Sequence, residues 1–143
     1  MKKLYKSLFV LIIGIILGYY LCNINLFSNI FSNTYKAFQI GVYTDYGIAN
    51  AYKEKYSNSI VIKDDELYRV YAAILKDNKN IEYMSKYLRK NNIEFYLKDI
   101  NINDKFLINE LTEYERIMDN VNEVVFLEVN KLIIDKYKES LWN

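Results

Sequence analysis

Histidine is absent from the chain, which excludes an imidazole acid or base and any histidine-ligated metal. The single cysteine, Cys22, leaves no partner for an intramolecular disulfide and excludes a cysteine-rich zinc cluster. Proline is absent too, and there are only four glycines, so no Gly- or Pro-rich spacer is present. Basic charge is not in excess. Net charge is +1, and beyond Lys2, Lys3 and Lys6 the remaining 16 basic residues face 18 acidic ones. That balance is a poor match for nucleic acid, whose binding is driven by cationic side chains displacing counterions. Tyrosine, by contrast, is abundant, with 15 copies. A codon bias toward A and T is the plain explanation, alongside the many Lys, Asn and Ile.

Residues 7–27 carry no charge, and 21 such residues are long enough to span a bilayer as a helix. The three lysines precede them, so residues 1–6 are expected as a cytoplasmic tail and the rest as extracytoplasmic. Bulky residues at Tyr19-Tyr20-Leu21 disfavour cleavage as a signal peptide, and the segment reads as an uncleaved single-pass anchor. Gly14 and Gly18 are spaced for a close helix pair, though glycine is ordinary in membrane helices. Residues 28–36 read as a tether too short to carry the following module far from the membrane.

Residues 37–102 read as two copies of one unit, opening at Phe38-Gln39-Ile40 and Tyr68-Arg69-Val70. Phe38–Thr44 alternates, with Phe38, Ile40 and Val42 on one side and Gln39, Gly41 and Tyr43 on the other, the period of a half-buried strand. Thr44 or Asp45 is placed to cap a helix through Ile48, Ala51, Tyr52 and Tyr56, and Asn58 to stop it in a left-handed conformation. A short strand over 59–63, a turn at Asp64-Asp65 and a strand from Tyr68 follow. Ile81, Met84 and Leu88 form a helical stripe ended by Asn91-Asn92, and 93–100 alternates again. The order is β-α-β-β-α-β, an α+β sandwich on a four-stranded antiparallel sheet. Its two helices cover one face and leave the other open. The open face is expected to hold Gln39, Gly41, Tyr43, Lys63, Arg69, Tyr71 and Tyr96. Flat rings beside an amide and a guanidinium can stack on a sugar ring and hydrogen-bond its hydroxyls.

Phe38-Gln39-Ile40-Gly41-Val42-Tyr43, then Tyr68-Arg69-Val70, a helix and a closing strand resemble the SPOR domain, the sporulation-related repeat. Gln39 and Gly41 match that family's first-strand pattern, Tyr43 falls where it has an aromatic, and Arg69 matches its third-strand arginine. Val42 stands in place of a small polar residue, and Ala73-Ile74-Leu75 in place of Gly-Pro-Phe. The resemblance implies a single-pass envelope protein of a bacterium that binds peptidoglycan glycan strands stripped of stem peptides. It would act in septal wall remodelling during cell division or sporulation. The glycan-binding residues are then Gln39, Gly41, Tyr43, Arg69, Tyr71 and Tyr96.

Residues 103–143 lie outside the resemblance and read as a helical extension, with Asn103 placed as a cap. Leu107, Leu111, Tyr114, Met118, Val121 and Val125 form a packing stripe that breaks at Glu128 and resumes at Leu132. One helix, two helices split at 119–122, and a strand over 124–129 are all compatible with it. The stripe serves either as core against the module or as a dock for a division or sporulation membrane protein. The second choice gives the alternative function, a protein–protein scaffold. No cofactor, metal or catalytic residue is expected. Asp64-Asp65-Glu66 reads as a solvated turn, Glu110, Glu113 and Glu115 as a solvated helix face, and no nucleophile has a base beside it.

Overall fold

The computed structural model describes residues 33–141, so the tail, the anchor over 7–27 and the first five tether residues lie outside the described residues. Among the described residues no helix is long and apolar enough to cross a membrane. The elements are β1 (Thr34–Tyr43), α1 (Tyr46–Lys55), β2 (Ile60–Asp64), β3 (Leu67–Leu75), α2 (Asn78–Lys90), β4 (Tyr96–Asn101), α3 (Lys105–Met118) and α4 (Glu123–Ser140). They form an α+β fold with one four-stranded sheet in the order β2-β3-β1-β4, antiparallel at every pair.

Local chemistry sets most boundaries. Asp45, Asp77, Asp104 and Asn122 each cap the next helix by accepting from its first backbone amides. The third helix is therefore capped by Asp104 and not by Asn103. Asn92 ends α2 in a left-handed conformation (φ 55°), and the Ile93 amide reaches back to the Leu88 carbonyl at 2.9 Å. Asn58 is not left-handed. Instead the Ser59 hydroxyl donates to the Tyr56 carbonyl at 2.7 Å and closes the end of α1. Asp65, at φ 56°, makes the tight β2–β3 turn.

The first strand begins at Thr34, four residues before its expected start at Phe38. Tyr35 supplies the reason: it is fully buried beside Glu115 and Thr112 of α3, and desolvation pushes its phenol up to about 12. The strand also carries register irregularities, between Phe38 and Gln39 and between Gln39 and Gly41. Such bulges shift which face each later side chain takes. Phe38 pairs with Ala73, yet Gln39 pairs with Tyr71, Val42 with Arg69 and Tyr43 with Tyr68. Directly paired residues share a face. The first face therefore holds Phe38, Ala73, Val70, Tyr68 and Tyr43. The second holds Tyr35, Ala37, Gln39, Val42, Arg69, Tyr71 and Ile74.

Helices α1 and α2 cover the first face. Tyr43 stacks on Tyr52, Tyr68 meets Tyr46 edge-on, and Phe38 packs on Phe95. Helices α3 and α4 cover much of the second, which overturns the expectation that it is bare. Leu107, Leu111, Met118, Phe126, Ile133 and Ile134 are all buried in the same core as the sheet. The buried positions within α4 are Phe126, Val129, Asn130, Ile133 and Ile134. This is a helical stripe, so 124–129 is not a strand, and Leu132 points outward.

Glu115 is a second correction. It lies buried and not on a solvated face, and its carboxylate oxygens accept from the amides of Lys76 and Asp77 at 2.8 and 2.7 Å. Through that link α3 fixes the turn that starts α2. Burial still pushes the Glu115 carboxyl above its usual range.

A four-strand clasp as the candidate functional site

One polar side chain from each strand meets on the second face. Asp64, at the end of β2, accepts through Oδ2 from Arg69 Nε of β3 and from Lys98 Nζ of β4, both at 2.7 Å. Arg69 Nη1 donates to Gln39 Oε1 of β1 at 2.9 Å. The clasp is thus Asp64–Arg69–Gln39 with Lys98 on the same carboxylate. The hydrogen bond from Lys98, joined by the charge of Lys98 and the hydrogen bond and charge of Arg69, together outweigh burial and hold the Asp64 carboxyl below its usual range. The same contact raises Lys98.

Two cations against one carboxylate leave the cluster with a positive excess. It is not sealed: the Arg69 side chain keeps 22% of its surface exposed and that of Lys98 35%. Tyrosine rings border it. Tyr96 sits opposite Gln39 in the register and is 66% exposed. Tyr71 is 4% exposed, and burial raises its phenol above the ordinary value. Tyr137 of α4 lies within electrostatic reach of Tyr71, Lys98 and Asp64 and is half-buried. It forms the wall where α4 ends the open part of the face.

The six expected binding residues therefore separate. Gln39, Arg69 and Tyr96 come together on the accessible part of the second face. Tyr71 shares that face but is covered. Tyr43 is turned by the bulges to the first face, and there it stacks on Tyr52 at 5.5 Å. Gly41 has a packing role: a Cβ at this position would stand 2.6 Å from the Tyr43 ring. Lys63 pairs with Tyr68 and so also faces the first side.

Sequence reasoning missed Asp64, which it read as a solvated turn, and the pairing of Arg69 with it. Asp64 lies two residues after Ile62, which opposes Arg69, and that period-two relation was the available signal. Lys98, absent from the expected open-face set, is the other missed member. The clasp offers hydrogen-bond donors, an acceptor and a ring edge, but no nucleophile with a base beside it. Among the described residues no group of acidic or cysteine side chains is placed to hold a metal ion. No family model, curated protein or solved structure matches the chain.

Proposed function

We propose that the chain is a non-catalytic, membrane-anchored recognition module of a bacterial envelope that binds peptidoglycan glycan strands through the accessible part of its second sheet face. The observation that carries this reading is the clasp itself: Gln39, Arg69, Asp64 and Lys98, one from each strand, lie partly exposed beside the Tyr96 ring. A sugar ring can lie on Tyr96 while its hydroxyls meet the amide and the cations. The positive excess suits the carboxylates of a bacterial glycan. The resemblance of Gln39 and Arg69 to the SPOR first- and third-strand pattern supports the same choice, and residues 7–27 supply the anchor. The role in septal remodelling during division or sporulation belongs to the proposal.

The test is retention of the full chain, in mild detergent, on purified wall sacculi with and without amidase pretreatment. Retention that rises after stem peptides are removed is expected, and Arg69→Ala with Tyr96→Ala abolishes it. No retention on either preparation overturns the reading.

A scaffold role for residues 103–143 is the second reading. The stripe expected to dock a partner is spent inside this molecule, since Leu107, Leu111 and Met118 are buried. What favours the scaffold is a different set, Phe106, Ile117, Val124 and Leu132, which stands exposed on α3 and α4. Co-purification of a membrane partner that survives Arg69→Ala but is lost in Ile117→Asp/Val124→Asp favours this reading.

A further inference from the structure

A cavity of about 290 Å³ lies beside Ala72, past the start of β2, between α1 and α2 on one side and α4 on the other, away from the clasp. Its floor is apolar, made by Ile40, Ala72, Met84, Leu88 and Ile93, with Leu127 of α4 as one wall. Its mouth is polar, with Lys55, Ser57 and Asn91 exposed around it. Asn130 also lines it and is 1% exposed. The Asn130 amide nitrogen is committed to the Ala72 carbonyl at 2.8 Å, and this fixes which way the amide points. Its Oδ1 is buried with no hydrogen-bond partner.

A buried acceptor left unsatisfied costs about 1–3 kcal/mol. A pocket with an apolar floor and a few placed polar groups, here Asn130 with Asn58 and Ser59, is the common form of a small-molecule site, and this volume lies at the lower end of that range. We propose that the cavity binds a compact apolar molecule of about ten to fifteen heavy atoms carrying one hydroxyl or N–H group. The body fills the space over Met84 and Leu88, and the donor reaches Asn130 Oδ1. The site belongs to this chain's α4 as much as to its sheet, because both Leu127 and Asn130 come from that helix. It is independent of glycan binding, since no residue of the clasp lines it.

The probe pair is 1-naphthol and 1-methylnaphthalene, nearly equal in shape, of which only the first can donate. Methyl-labelled full chain in lipid nanodiscs is titrated with each, and the Met84, Leu88, Leu127 and Ile40 methyl signals are followed. Saturable shifts at these methyls are expected, with 1-naphthol about tenfold tighter, a factor that one net hydrogen bond supplies. Leu127→Trp fills the space and abolishes the shifts. Ser57→Trp, at an exposed position, obstructs the mouth and weakens binding without touching the core. Absence of shifts at these methyls overturns the proposal, as does equal affinity for the two probes. Binding that persists unchanged in Ser57→Trp and Leu127→Trp also overturns it. Should Leu127→Trp fail to fold, Ser57→Trp decides alone.

Discussion

Asn130 of α4 donates its side-chain amide to the backbone carbonyl of Ala72 in β3, at 2.8 Å and across 58 residues of sequence. Ala72 is the bulged residue of β3: it has no partner in β1, and β2 pairs only as far as Tyr71. A buried carbonyl without a partner is costly, and α4 supplies the donor. The C-terminal helices are therefore part of the domain and not an appendage to it.

Core substitutions in α4 should destabilise the whole fold. Ile133 is fully buried against the sheet. Ile133→Ala is expected to cost about 2–5 kcal/mol. Urea unfolding of the full chain, followed by circular dichroism, checks this. A single transition should shift to lower urea, with β-sheet and helix signals lost together. If the helix signal fell first and the sheet signal stayed in place, the extension would be a separate unit. Deleting residues 103–143 is expected to unfold the module, because it strips cover from Tyr35 and Ile74.

How much of this was legible beforehand follows from where the forces are local. Helix caps and strand alternation depend on neighbours within a few residues, so the β-α-β-β-α-β order could be read, as could the turn at Asn91-Asn92. The bulges at Ile40 and Ala72 could not. They insert single residues without altering the apolar pattern, yet they send Tyr43 and Val42 to the faces opposite those the alternation assigned. Nor could the direction of the α3 stripe be read, since Leu107 and Leu111 would look the same facing a partner or facing this sheet. Glu115 was misplaced for a related reason. A carboxylate among other acids reads as solvated, and only the fold brings the Lys76 and Asp77 amides to it.

Gly41→Ala should lower stability through packing and not through loss of a binding contact. The added Cβ would stand 2.6 Å from the Tyr43 ring. The ring must leave its stack on Tyr52, at about 1–2 kcal/mol for overpacking. The double variant Gly41→Ala/Tyr43→Ala should cost less than the sum of the two single variants, because the alanine then meets no ring. Additive losses by urea unfolding would show that the glycine acts in some other way.

Tyr96 and Tyr71 should separate binding from folding. Tyr96→Ala removes an exposed ring and is expected to weaken sacculus retention at least fivefold while changing the unfolding midpoint little. Tyr71→Ala empties a buried position and is expected to cost about 3–5 kcal/mol, with any loss of retention following the loss of fold. Equal retention in Tyr96→Ala and the parent chain would remove the ring from the site.

The clasp should also set a stability window in pH. Asp64 has its folded pKa below the unfolded value because Lys98 and Arg69 favour its charge. Its contribution is therefore present above the ordinary aspartate value of 3.8 and is lost as pH falls through the lower folded value. Lys98 works at the other end. Its folded pKa is raised by Asp64, so its contribution is present below 10.5 and is lost as pH rises through the higher folded value. Both partners are about one-third exposed, so solvent screens the pair and the effect is modest. The measurement is the difference in Tm between the parent chain and Asp64→Asn across pH 2–11. A plateau in favour of the parent from about pH 4 to 10 is expected, narrowing at both ends. A difference that did not change with pH would mean that the asparagine keeps the contacts that matter, and that charge plays no part in holding the four strands.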